Sequence, residues 1–185
     1  MLRLAASLVA SAVSALALEG CPPCGSTDAQ AVGAWSFENC ADASCGFTVE
    51  SGVTRVTATF HPGEHGLDLA PGTSIVAPLT VAASTLYGMP FVKVLARCDA
   101  GSSLSVEVGA TSTSRDAAPD AGATGEDETL RGTIPTTTTW GLANEHLVST
   151  GQVRRLNSVR VIAAGAGHCQ IDQLEVSVNF YGFCE

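Results

Sequence analysis

One stretch constrains the fold more than any other: Cys169 to Val178, reading Cys-Gln-Ile-Asp-Gln-Leu-Glu-Val-Ser-Val. Leu174, Val176 and Val178 alternate with Glu175, Ser177 and Asn179, the period of two that a strand shows when one face meets a core and the other meets water. Upstream the parity breaks. Cys169 and Ile171 are odd-numbered, so Asp172 falls in phase with the later core residues, and a carboxylate there requires a β-bulge or a cation beside it.

Similar alternation recurs along the chain. Gly33–Glu38 places Trp35 and Phe37 on one face, and Val53–Phe60 puts Val56, Ala58 and Phe60 inward with Arg55, Thr57 and Thr59 outward. Leu67, Leu69, Ile75 and Val76 mark one or two further strands, punctuated by Pro71-Gly72. Val92, Val94, Ala96 and Cys98 share a face, as do Leu104, Val106, Val108 and Ala110; Thr137–Val148 and a strand through Val159, Val161 and Ala163 follow. Roughly eight or nine short strands separated by turn residues predict an all-β, antiparallel two-sheet sandwich spanning residues 33–185 as one domain. Between them, residues 113–131 are acidic and rich in Ala, Gly and Pro with little to bury, which predicts a flexible loop.

The N-terminus reads differently. Met1-Leu2-Arg3, the apolar run Leu4–Leu18 and the small-residue Ala15-Leu16-Ala17 form a secretory signal over residues 1–20. Residues 21–32, with Pro22 and Pro23, form a tether. Leu18-Glu19-Gly20-Cys21 is similar to a bacterial lipobox, in which the cysteine is the lipidated first residue of the mature chain; Glu19 departs from that pattern, so cleavage after Ala17 without a lipid is the alternative. The cysteine count favours lipidation. Of seven cysteines, removing Cys21 leaves an even six for disulfides in an exported chain. Their connectivity is open, and the arrangement expected is Cys40 with Cys45, Cys98 with Cys169, and Cys24 with Cys184. The expected location is therefore outside the cytoplasm, on a membrane through a lipid anchor.

Charge and motifs narrow the function. A formal net charge of −9 argues against nucleic acid as a partner, since phosphate backbones reward clustered Lys and Arg. His61 and His65 flank Glu64 in a turn without the helical spacing of a metalloprotease, and His146 and His168 accompany no nucleophile motif. The expectation is a protein that is not an enzyme.

Several motifs in order carry a resemblance: Phe37-Glu38, His-Pro-Gly-Glu-His-Gly-Leu-Asp-Leu over His61–Leu69, Leu86-Tyr87, Thr138-Thr139-Trp140 and Ile171-Asp172-Gln173-Leu174. Together they resemble the galactose-binding-like jelly roll of bacterial carbohydrate-binding modules. The resemblance implies an extracellular carbohydrate ligand, a core role for Trp140, and a structural calcium. The calcium would be held by the carboxylates of Glu38 and Asp172 and by main-chain oxygens near Gly63–His65, a hard-oxygen set that suits this ion. Gln173 stands where the family usually has a second Asp. Aromatic platforms for a sugar are few, and the ligand-binding residues are unknown at this stage. The alternative is a structural or adhesive envelope protein making protein contacts; a small hydrolase is a third reading.

Overall fold

In the computed structural model, residues 29–38, 44–58, 65–81, 88–114 and 125–180 are described. They form eleven strands: β1 (Ala29–Ser36), β2 (Thr48–Ser51), β3 (Thr54–Ala58), β4 (His65–Leu69), β5 (Ser74–Val81), β6 (Gly88–Cys98), β7 (Ser103–Thr113), β8 (Glu126–Ile134), β9 (Gly141–His146), β10 (Gln152–Ala164) and β11 (Cys169–Phe180). Every pairing is antiparallel. The first sheet runs β3-β4-β11-β6-β9, with β1 also on β11, and the second runs β2-β5-β10-β7-β8. This is the antiparallel two-sheet sandwich expected from the alternation, and the jelly roll that the resemblance implies.

The core forms where the inward halves of the two alternating patterns meet. Leu67, Val92, Val94, Leu174 and Val176 enter from the first sheet, and Leu104, Val106, Val108, Leu156 and Val161 from the second; all are at most 1% exposed. At one corner Phe47 lies 5.3 Å from Trp35 and 6.2 Å from Phe37.

β11 contains the bulge that its parity requires. Ile171 faces Ala96 and Gln173 faces Leu95, so Asp172 is the extra residue. The opposite edge of β11 is divided: β4 pairs with Cys169–Ile171 and β1 with Gln173–Asn179. Asp172 therefore lies at the bulge and at the junction of the two neighbours.

Several boundaries differ from expectation. β1 begins at Ala29, within the stretch read as tether. β2 was not anticipated, because Thr-Val-Glu-Ser shows no apolar period and all four residues are exposed. Val56 pairs with buried Leu67 and so shares the inward face, yet it is 36% exposed because β3 is an edge strand. The acidic stretch is not loop throughout: β7 continues to Thr113, and Glu126–Arg131 belong to β8, which buries only Leu130 and Ile134. Main-chain pairing along β7 holds this weakly apolar strand in place. Trp140 precedes β9 and stands outside the core cluster.

Cys98 and Cys169 are bonded across directly paired positions of β6 and β11, both in the core. Cys45 is also disulfide-bonded. Cys21, Cys24, Cys40 and Cys184 lie outside the described residues, as do His61, Gly63 and Glu64. The Cys98–Cys169 bond links residues 71 positions apart, a long loop whose closure restricts the unfolded chain. Replacing both cysteines with alanine is expected to lower the unfolding free energy by about 2–4 kcal/mol, read as a shift in the urea midpoint.

Candidate functional site

The expected ion ligands converge on the divided edge of β11. Ser36, the last residue of β1, pairs with Gln173, so Glu38 follows just beyond the end of that ladder. On the other side β4 starts at His65, whose N–H donates to both oxygens of the Glu38 carboxylate at 3.3 Å. Asp172 is 2% exposed at the bulge between them. A buried carboxylate and a half-buried one at a break in the ladder fit a hard cation, provided main-chain oxygens complete the shell. Among the described residues no group of three or more His, Cys, Asp or Glu side chains forms such a site without them.

A second constellation runs straight across the outer face of the first sheet. Register aligns Arg55 with Asp68, Asp68 with Gln170, and Gln170 with Arg97. Side chains link the same row: Arg55 Nε donates to Asp68 Oδ2 at 2.7 Å, Gln170 Nε2 to Asp68 Oδ1 at 3.4 Å, and Arg97 Nε to Gln170 Oε1 at 2.8 Å. The Arg97 guanidinium carbon then lies 5.4 Å from the Trp140 ring centroid, within cation–π range. His168 Nδ1 also meets Asp68 Oδ2, at 3.0 Å. Asp68 points away from the core yet is only 2% exposed, because these partners cover it. Trp140 is thus half-buried on the outer surface beneath an arginine, not the core tryptophan that the resemblance implies.

Beside this row the outer face opens into a groove of about 360 Å³ across β1, β11, β6 and β9. Its floor is aliphatic, built from Leu95 and Leu142, which face each other across β6 and β9, with Leu142 64% exposed; Trp35 also lines it, but its ring packs on Phe47. Its walls are polar, from Ser36, Gln173 and the Lys93–Glu175 ion pair at 3.2 Å. The Ser177 hydroxyl donates to Glu175 and, with the Lys93 ammonium, holds that carboxyl below the ordinary glutamate value. Such a groove offers an apolar surface for C–H groups together with a hydroxyl, an amide, an anion and a cation for polar edges.

The sequence reading missed most of these residues. Lys93, Leu95 and Arg97 alternate with the core set Val92, Val94 and Ala96, so their outward placement was legible. Their assembly into a site was not, because it depends on which strands flank β6. Of the histidines, His65 meets Glu38, His168 meets Asp68, and His146 packs 5.6 Å from Phe91.

No protein-family model and no curated protein matches the sequence. Among solved structures, the chain is similar to the CBM22-1-GH10 modules of the Clostridium thermocellum endo-1,4-beta-D-xylanase 10B complexed with xylohexaose: 9% identity, TM-score 0.50, covering 80% of this chain and 28% of that one. It is also similar to the CBM22-2 xylan-binding domain of Paenibacillus barcinonensis Xyn10C, at 10% identity and TM-score 0.48, covering 80% of this chain and 99% of that one. A third is the family 11 carbohydrate-binding module from Clostridium thermocellum in complex with a beta-1,3-1,4-mixed-linked tetrasaccharide, at 12% identity and TM-score 0.48, covering 82% and 98%. At these identities the likeness is one of fold. The present chain spans just over a quarter of the xylanase chain.

The outer carboxylates make stability depend on acid. Glu50 is held low mainly by Arg160, Glu107 mainly by Arg131, and Glu175 mainly by Ser177. Groups lowered in the folded state stabilise it fully above the ordinary glutamate value and lose that contribution as pH falls through the lowered ones. The urea midpoint is expected to stay level from about pH 7 to 5 and to drop below about pH 4. Arg160→Met, which frees Glu50 and leaves Glu107 with Arg131 alone, is expected to cost about 1 kcal/mol or less at neutral pH, because the pairs are solvent-screened, and to shallow the acid drop.

Proposed function

We propose that this chain is an exported, non-catalytic carbohydrate-binding protein, and that the outer groove of the first sheet is its glycan site. The observation that carries this reading is the composition of the groove: the aliphatic floor of Leu95 and Leu142 between Lys93, Glu175, Gln173 and Ser36. A sugar ring presents C–H faces and hydroxyl edges, and hydroxyls both donate and accept. The floor takes the former, and the mixed walls take the latter in either sense. The jelly-roll fold shared with carbohydrate-binding modules supports the same assignment.

The leader and Cys21 support export with a lipid anchor, so that the domain sits at a bacterial membrane, facing outward or into the periplasm. The buried Cys98–Cys169 bond supports an oxidising compartment. A structural calcium at Glu38 and Asp172 belongs to the same proposal. Bound there, it would neutralise two carboxylates where β1 gives way to β4 along β11, and so hold the seam closed.

One observation favours a second reading, a protein contact on the same face. The floor is aliphatic and Leu142 is prominent, whereas sugar platforms more often use aromatic rings.

A glycan array probed with the full chain, once with calcium and once with chelator, separates these readings. Specific binding that weakens at least tenfold in Lys93→Ala and Leu142→Asp, with the thermal midpoint little changed, is expected. Binding that ignores both substitutions would remove the groove from the site, and no binding by folded protein would move the weight to a protein partner. Chelator is expected to lower the thermal midpoint by several degrees if calcium closes the seam. Cys21→Ala is expected to shift the protein from the membrane to the soluble fraction; a variant that stays with the membrane would refute the anchor.

A further inference from the structure

The cross-strand row on the first sheet ends in a second, smaller cavity of about 110 Å³, lined by Arg97, Cys98, Asp99, Thr138, His168 and Gln170. Its walls are fixed by main-chain bonds: Cys98 N–H donates to Thr137 O at 2.9 Å, Asp99 N–H to His168 O at 2.8 Å, and His168 N–H to Asp99 Oδ2 at 2.9 Å. The Cys98–Cys169 disulfide ties the two strands behind it. Gly167 approaches so closely that an added Cβ would lie 2.5 Å from Asp99 Cβ. The cavity is therefore preorganised, which reduces the ordering cost of binding.

Arg97 is unusual within it. Arg55, Arg131 and Arg160 each reach a carboxylate. Arg97 instead donates Nε to the neutral Gln170 amide and rests on the Trp140 ring. Those two contacts fix the plane of a half-buried guanidinium, and its two Nη groups have no hydrogen-bond partner among the described residues. A planar fork held in place with both terminal donors open matches a carboxylate, which accepts two parallel hydrogen bonds. On the same wall, the bond of His168 Nδ1 to Asp68 leaves His168 Nε2 without a protein partner among the described residues.

Asp99 sharpens the choice of ligand. Its carboxylate stands in the same cavity, with one oxygen engaged by the His168 amide. A multiply charged inorganic oxyanion would meet repulsion there, whereas a hydroxyl beside a carboxylate would find an acceptor. The volume, roughly that of four waters, admits a carboxyl group with its attached carbon and a neighbouring hydroxyl but not a whole sugar ring. We propose that this cavity is an acidic-sugar subsite: Arg97 receives the carboxylate of a uronic acid residue and Asp99 a hydroxyl of the same residue. This deepens the carbohydrate reading and rests on it only in taking the remainder of the ligand to be a glycan along the sheet.

The test titrates the full chain by NMR and calorimetry with sodium glucuronate, glucose, sodium sulfate at matched ionic strength, and paired acidic and neutral oligosaccharides of equal length. The chain has two tryptophans, so the indole N–H signal of Trp140 reports on the guanidinium stacked above it. Glucuronate is expected to shift that signal while glucose and sulfate do not, and acidic oligosaccharides are expected to bind at least tenfold more tightly than neutral ones. Arg97→Ala should abolish the acidic preference while leaving neutral binding intact. Arg97→Lys, which keeps the charge but loses the fork, should abolish most of it and controls for a folding defect in the alanine variant. Equal binding of acidic and neutral ligands, an acidic preference that survives Arg97→Ala in folded protein, or a response reproduced by sulfate would each overturn the proposal. An Arg97-dependent response to glucuronate without binding of any oligosaccharide would sustain the subsite and count against the groove.

Discussion

The first sheet depends on how β11 satisfies its two edges. One edge is paired with β6 along its length, and the other is divided between β4 and β1. The extra residue at Asp172 is what makes the division compatible with a single core. Cys169 and Ile171 precede it and Leu174, Val176 and Val178 follow it, yet all five are buried, because the bulge resets the pleat by one position. Without it, a strand of period two would carry one of these sets to the solvent face. The outer face benefits in the same way: Gln170 before the bulge and Gln173 and Glu175 after it share the surface that holds the arginine row and the groove. A one-residue irregularity thus fixes the core and the candidate site together.

The two outer faces show that similar residue types serve different ends. On the second sheet Arg160 reaches both Glu50 and Glu107, and Arg131 reaches Glu107. Arginines and carboxylates alternate across the strands, each with its charge matched, and little donor capacity is left for a ligand. Such a ladder contributes modestly to stability and pins the register of polar edge strands that apolar residues pin weakly. On the first sheet the row starts in the same manner, with Arg55 on Asp68, and then departs from it. Gln170 relays to Arg97, and Arg97 ends on an aromatic ring rather than on an acid. Charge is matched at one end and open at the other, and the open end borders a cavity.

How much of this was legible follows from what each signal measures. Alternation reports burial, so the strands that line the core, β6, β7, β10 and β11, read clearly from Val92, Leu104, Val159 and Leu174. Edge strands bury little, and β2 and β8 are held by main-chain pairing that leaves no apolar period; β2 carries no strand signal, and the first part of β8 reads as acidic loop. The parity break at Asp172 was visible because it is local to one strand. Glu38 and Asp172 could be associated only through a resemblance, and their convergence follows from β1 and β4 abutting on one edge. The arginine row was invisible for the same reason taken further: Arg55, Asp68, Arg97, Trp140 and Gln170 come from five segments, and only the strand order aligns them.

The aliphatic floor sets what kind of recognition the groove would perform as the proposed glycan site. Stacking supplies affinity that tolerates many sugars, and an aliphatic floor supplies less of it. The polar walls must therefore discriminate, yet they arrive already paired, Lys93 with Glu175 and Glu175 with Ser177. A ligand hydroxyl that inserts between them exchanges one satisfied arrangement for another, with a small net gain when it fits and an unsatisfied charge when it does not. Such a site selects more strongly than it holds. On the proposed tethering to a membrane, many copies facing one polymer would compensate for weak individual contacts, because each contact raises the effective concentration for the next. Selectivity in the groove and strength from multiplicity would then be properties of different parts of the chain, the folded sandwich and the proposed N-terminal anchor.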